Sequence, residues 1–231
     1  MEEYFKDNEY GNGEIITKLF MNLYKTEKYK KILFVRTYTT GDWLDKLLVD
    51  NTNVTRILYD TNHTTIKNCH KSTIIVNALN LKDMIISLNT KFDLICLDPF
   101  HEYNDSLRDL SLLSSFLTEI GVLLCHDCFP SNINLAYPKF KNGNWSGVTY
   151  VAFVELAYTY PNCFYGVLNI DTGIGIMSKT YMNGLKNNLD IEKQKKLITP
   201  FHTVNDERIL LNETYDYYCK NSKDLINMIN N

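Results

Sequence analysis

Short apolar runs recur along the chain, and each closes on a polar residue. Lys31–Val35, Val54–Tyr59, Ser72–Val76, Phe92–Leu97 and Val122–Cys125 are too brief for helices. They are near-continuous rather than alternating, the pattern of strands buried on both faces. Between them the spacing is helical. Glu14–Tyr29 places Ile15, Ile16, Leu19, Phe20 and Leu23 on one face, and about Asp42–Val49, Thr64–Cys69, Leu81–Leu88 and Tyr103–Leu117 follow. Strands alternating with helices predict an α/β fold whose parallel sheet is covered on both sides. Such sheets bind ligands beyond the carboxyl ends of their strands, near the topological switch point. The runs end there on a Gly-containing polar turn, Asp60, Asn77, Asp98 and the pair His126-Asp127.

After Asp127 the pattern changes. A polar loop, Pro130–Gly147, leads to a helical stretch, Val148–Tyr158. Phe164–Ile170 and Ile174–Met177 flank Asp171-Thr172-Gly173 and read as a β-hairpin. The tail holds a weak helix at Ile191–Leu197 and a stronger one at Ser222–Ile229. With no repeat or linker, the expectation is one domain over 1–231, with an N-terminal helical segment (1–30) and a C-terminal helical tail (182–231).

Composition narrows the function. Hydrophobic residues are 45% and charged residues 22% of 231, the balance of a globular protein. A net charge of −3 gives no field that would draw nucleic acid, and the lysine runs Lys28–Lys31 and Lys193–Lys196 read as solvated faces. No apolar stretch reaches the ~18 residues that span a bilayer, and MEEYFKDNEY is acidic rather than signal-like. A cytoplasmic protein with no membrane or nucleic-acid partner is expected. The six cysteines follow no framework and read as reduced thiols. The Asn-x-Ser/Thr triplets at Asn53, Asn62, Asn104, Asn144 and Asn212 accompany a high asparagine content.

Chemistry concentrates after the fourth and fifth runs. Asp98 and Asp127 each follow a strand, with His101 and His126 in the same two loops. Two carboxylates and one or two imidazoles at one sheet edge can hold a divalent metal. They can equally form a general base with an orienting acid. A lone Asp at a strand end more often caps the next helix. Cys125 and Cys128 bracket His126-Asp127, but no second pair completes a zinc set. His63, His70 and His202 read as surface histidines.

The segments FDLICLDPFHEYNDSLRDL and GVLLCHDCFPSN resemble a bacterial and viral family of class I S-adenosylmethionine-dependent methyltransferase-like proteins, often associated with glycan modification. Asp98, His101, Tyr103, Leu107, Arg108 and Asp109 match its first block, and Gly121, His126, Asp127 and Pro130 its second. Trp145, Gly147 and Ala152 keep part of a later block. The resemblance implies a Rossmann-like doubly wound sheet of about seven strands, mostly parallel with a C-terminal antiparallel hairpin strand. It implies an O-methyltransferase using S-adenosyl-L-methionine, with a sugar or glycan precursor as acceptor. Thr37, Tyr38, Gly41, Asp60, Asn77 and Asp98 would bind the cofactor, with Asp60 on the ribose and Asn77 at the adenine edge. His101, His126 and Asp127 would be catalytic, and Asp98, His101 and Asp127 would hold any Mg²⁺ or Mn²⁺.

The cofactor loop departs from that pattern. In ILFVRTYTTGDWL, Phe34 stands in place of the usual acid and Arg36 in place of the first glycine; only Gly41 remains. Arg36 could instead grip the cofactor carboxylate. Val148 and Val151 replace an Asp and a Lys of the later block. Two rival readings follow: a non-enzymatic binding module of the same fold, and a metal-assisted enzyme of other chemistry on the same acid–histidine site.

Overall fold

All five apolar runs form strands, and the hairpin lies where its turn residues place it. In the computed structural model, residues 29–37, 54–60, 73–170, 172–204 and 206–229 are described. The strands are β1 (Ile32–Arg36), β2 (Val54–Asp60), β3 (Thr73–Asn77), β4 (Phe92–Asp98), β5 (Leu117–Cys125), β6 (Phe164–Leu168), β7 (Ile174–Ser178) and β8 (Met228–Ile229). They form one sheet in the order β3-β2-β1-β4-β5-β7-β6-β8. β1 to β5 pair in parallel, and β7 runs antiparallel to both β5 and β6. The direction of the connections reverses between β1 and β4, so the switch point lies beside the end of β4, at Asp98.

The strands are apolar throughout because both faces are buried. Leu33, Val35, Ile95, Leu97, Leu123 and Cys125 enter one core cluster. Their neighbours Ile32, Phe34, Leu94, Cys96, Val122 and Leu124 enter the other, as the two-residue period of a strand requires. The helices α1 (Leu81–Ser87), α2 (Tyr103–Ser115), α3 (Thr149–Thr159), α4 (Ile191–Thr203) and α5 (Glu207–Ile226) supply the first cluster through residues such as Ile85, Leu110, Phe153, Leu197 and Tyr218. The helices expected at Glu14–Tyr29, Asp42–Val49 and Thr64–Cys69 lie outside the described residues, apart from Tyr29, which is not helical. No described helix is long and apolar enough to cross a membrane.

The structure corrects the tail. An eighth strand joins the seven expected, and Ser222–Ile229 is not one helix. Asn227 stops α5 in a left-handed conformation (φ 55°) that asparagine tolerates. Its Nδ2 donates to the carbonyls of Tyr165 (3.1 Å) and Gly184 (2.8 Å), which leads Met228 and Ile229 onto β6. The alternation of apolar residues continues through this break, so hydrophobicity alone conceals it. The helix read at Ile191–Leu197 extends to Thr203, past Pro200, with Asp190 capping its start through the Lys193 N–H (3.0 Å). Packing of Phe201 on Tyr103, with ring centroids 4.8 Å apart, stabilises that extra turn. β5 begins five residues before its apolar run, at Leu117, where it still pairs with Phe92.

A buried polar chain ties β2 to α2. Tyr59 donates to the Asp109 carboxylate and accepts from the Phe100 N–H (2.9 Å), while Arg108 Nε donates to Asp109 Oδ1 (2.8 Å). Burial pushes the Asp109 carboxyl up to about 6, against the charge and hydrogen bond of Arg108 and the hydrogen bond of Tyr59. From about pH 4 upward the unfolded chain releases this proton before the folded one does, so folding stability falls until about pH 6 and recovers on acidification. Relative to Asp109→Asn, the parent should therefore gain up to about 3 kcal/mol between pH 7 and pH 4. Urea denaturation across that range checks this; parallel stability profiles would refute it.

Candidate active site

The four acid and histidine side chains meet at one point on the carboxyl edge of the sheet. Asp98 is the last residue of β4, and His101 follows it by three in the loop to α2. His126 and Asp127 come directly after β5, whose pairing with β4 aligns the two strand ends; the His126 N–H continues the ladder to the Leu97 carbonyl (3.0 Å). His101 Nε2 lies 3.2 Å from Asp98 Oδ1 and 3.0 Å from Asp127 Oδ2. His126 Nδ1 lies 3.6 Å and 3.4 Å from the same two oxygens. Neither carboxylate caps a described helix. Asp98 keeps 29% of its side-chain surface exposed while His101, Asp127 and His126 keep 6%, 7% and 10%, so the cluster opens at Asp98.

His101 is oriented from behind. Its Nδ1 lies 2.9 Å from the Trp145 carbonyl, and its ring packs beside the Trp145 indole at 5.2 Å. Its own carbonyl accepts the Val148 N–H (2.9 Å). Gly147 permits this approach: its φ is +56°, and an added Cβ would sit 2.1 Å from the His101 carbonyl oxygen. Trp145 and Gly147, which the resemblance singles out, thus shape the site from the far end of the polar loop. Val148 and Val151, which stand where the family has charged residues, are fully buried in the core.

A carbonyl only accepts hydrogen bonds, so His101 Nδ1 must carry a proton. In the neutral ring that leaves Nε2 a lone pair, which here faces two carboxylate oxygens. Three acceptors converging need a positive charge among them, either a second proton on His101 or a metal ion. Burial alone would lower the His101 imidazole, but the charge of Asp127 and then the hydrogen bond and charge of Asp98 push it up. Burial would raise the Asp98 carboxyl, yet hydrogen bonds from His101 and His126, and then their charges, hold it well below the usual range. Asp98 Oδ1, His101 Nε2 and Asp127 Oδ2 all lie within 4.8 Å of one another. Metal-bound histidines characteristically donate their other N–H to a carbonyl or carboxylate, as His101 does to Trp145. The residues present therefore fit a divalent cation with oxygen and imidazole ligands.

The cofactor residues are less gathered. Thr37 is fully buried; its N–H donates to the Asp98 carbonyl (3.2 Å) and its hydroxyl points to the Pro99 carbonyl (3.5 Å), so it joins β1 to β4 rather than facing a cleft. Arg36 is buried too, its guanidinium 5.8 Å from the Phe34 ring centroid. Asn77 ends β3, exposed, but its side-chain oxygen accepts the Leu79 N–H (2.9 Å) as a helix cap. Only its amide nitrogen could then donate to an adenine edge. Asp60 ends β2 as expected; its side chain, with Tyr38 and Gly41, lies outside the described residues.

His202 is exposed, as a surface histidine should be. It sits near the end of α4, with Nε2 3.2 Å from Glu155 on α3 and 3.1 Å from the Tyr103 hydroxyl on α2, which itself donates to Glu155. Cys125 and Cys128 are buried thiols, and no disulfide occurs among the described residues.

No protein-family model and no curated protein matches this chain. Solved structures share its fold. An O-methyltransferase from Bacillus cereus in complex with SAH superposes with a TM-score of 0.51 at 11% identity, over 73% of this chain and 82% of that one. A candidate caffeoyl-CoA O-methyltransferase from Staphylococcus aureus gives 0.50 at 16%, over 72% and 84%. Cofactor-bound Rv0187 from MTB gives 0.50 at 8%, over 77% and 84%. The chain has the α/β fold of these structures, with the hairpin strand β7 inserted between β5 and β6.

The approach of Gly147 to His101 yields a direct test. Gly147→Ala should destabilise the protein by more than about 1 kcal/mol, because the left-handed backbone and the blocked approach act together. Urea denaturation reads the change; an unaltered midpoint would show that the loop does not hold His101.

Proposed function

We propose that the protein is an S-adenosylmethionine-dependent O-methyltransferase whose acceptor hydroxyl is activated at the Asp98–His101–His126–Asp127 cluster. The observation that carries this reading is the meeting of those four side chains at the ends of β4 and β5, beside the switch point of the sheet. S-adenosylmethionine, when bound, supplies a methyl group on a sulfonium sulfur. Asp60 at the end of β2 and the Asn77 amide at the end of β3 are the candidates to hold its ribose and adenine, with Tyr38 and Gly41 from the loop after β1. The buried Thr37 would contribute only by tying that loop to β4.

Asp98, His101 and Asp127 would hold Mg²⁺ or Mn²⁺, which supplies Lewis acidity toward the acceptor oxygen. An acceptor hydroxyl approaching from the open side of Asp98 takes the methyl group on oxygen and gives up its proton. His126 is the candidate to receive that proton. Its Nδ1 faces Asp98 and Asp127, whose carboxylates would balance the charge of the imidazolium formed. A sugar or glycan precursor as acceptor follows from the family resemblance of the two histidine blocks.

The buried Arg36 and Thr37 favour a second reading, in which the fold has lost its cofactor and acts as a binding module. Ligand-induced changes in melting temperature separate the two, since a ligand of the native state raises it. S-adenosylhomocysteine and Mn²⁺ should each raise the melting temperature. Asp127→Asn should abolish the Mn²⁺ effect and keep that of S-adenosylhomocysteine, while Asp98→Asn should abolish the first and weaken the second. Asp60→Ala should lose about 1.5–3 kcal/mol of S-adenosylhomocysteine affinity by calorimetry. If no S-adenosyl compound binds at millimolar concentration, the binding-module reading stands instead.

A further inference from the structure

The β6–β7 turn reaches across to the second loop of the candidate site. The Cys128 and Phe129 N–H groups donate to the carbonyls of Gly173 (2.9 Å) and Thr172 (2.6 Å), and Thr172 Oγ1 donates to Asp127 Oδ1 (2.5 Å). The other oxygen of Asp127, Oδ2, is the one that faces His101 and His126. The two oxygens are thus divided between two tasks.

The backbone shows what this arrangement overrides. Thr172 has φ 59° and Asp127 has φ 60°. A left-handed conformation is tolerable for aspartate but is a costly outlier for a β-branched residue. Gly173, at φ +89°, lies so close to the second loop that an added Cβ would be 2.1 Å from the Phe129 nitrogen. A turn of this kind, free of other demands, takes Asn or Gly at the left-handed positions. The hydroxyl of Thr172 is what those residues lack.

We infer that Thr172 is a positioning residue: its hydroxyl engages Asp127 Oδ1 so that Oδ2 alone is presented to His101 and to a divalent cation. The inference rests on the reading of Asp98, His101 and Asp127 as a cation site. It extends that site to a residue of the hairpin, which touches neither cation nor acceptor. Without the hydroxyl the carboxylate is released to rotate, and the distance from Oδ2 to His101 Nε2 is no longer held.

Two measurements test it on the full chain. Mn²⁺ affinity, read by electron paramagnetic resonance, should fall about 10–100-fold in Thr172→Val, the usual effect of removing a partner that orients a metal ligand. In the metal-free protein at one fixed pH, the ¹⁵N resonance of His101 Nε2 should shift in Thr172→Val. Thr172→Ser, which keeps the hydroxyl, should preserve both values. Thr172→Gly relieves the left-handed backbone and replaces Thr172→Val if that variant does not fold; it should lose both values while remaining folded. Parent-like Mn²⁺ affinity and an unmoved resonance in the variants lacking the hydroxyl would overturn the inference, as would a serine variant that behaves like the valine one. If the parent binds no Mn²⁺, the cation reading fails, and the imidazole resonance alone decides the role of Thr172.

Discussion

Two carboxylate oxygens and an imidazole nitrogen cannot share a small space without positive charge between them. The Trp145 carbonyl makes this condition strict, because it commits the Nδ1 proton of His101 and directs Nε2 at Asp98 and Asp127. Like charges this close, in a partly buried setting, repel with little screening. The rest of the structure opposes that repulsion by fixing each partner from a different direction. β4 delivers Asp98, the polar loop orients His101 through Trp145 and Gly147, and the hairpin turn grips Asp127 through Thr172. An arrangement so over-determined supports the proposed cation site, whether a proton or a metal occupies it.

The same logic explains four of the left-handed residues. Asp127, Thr172, Gly147 and Gly173 all have positive φ, and all four lie in the loops around the cluster. Tight turns there bring three separate loops within hydrogen-bonding distance of one another. α5 adds a fourth restraint, since Tyr218 and Tyr215 donate to the carbonyls of Cys128 (2.7 Å) and Pro130 (3.1 Å). The tail helix therefore supports the loop that carries Asp127, though no residue of the tail enters the cluster.

The central strands and the hairpin were legible because burial on both faces leaves a continuous apolar signal and a Gly-containing turn interrupts it. Asp98, His101, His126 and Asp127 were legible as strand-end residues, and the family blocks placed them together. What supports them was not. Tyr59 looks like one more apolar residue of β2, yet its hydroxyl joins Asp109 to the Phe100 N–H. Trp145 acts on His101 through a carbonyl, which every residue has. Thr172 belongs to a turn whose sequence specifies a bend but not the reach of a hydroxyl. Asn227 ends a helix inside an unbroken apolar pattern. Each of these depends on tertiary proximity, to which the period of hydrophobic residues carries no information.

The loop after β1 and the acid–histidine cluster start from different strands. Phe34 and Arg36 belong to β1; the Phe34 side chain enters the second core cluster, and Arg36 lies beside Asp98 in the β1–β4 ladder. Beyond the β1–β4 ladder, the Thr37 N–H donates to the Asp98 carbonyl and the Phe100 N–H to the Tyr59 hydroxyl. Tyr59 adjoins Asp60, the candidate ribose partner, and Phe100 adjoins His101. A ligand held by Asp60 would thus act on the strand end whose neighbouring hydroxyl sets the loop of His101. Tyr59 and Asp109, both buried, connect the end of β2 to the loop that carries His101.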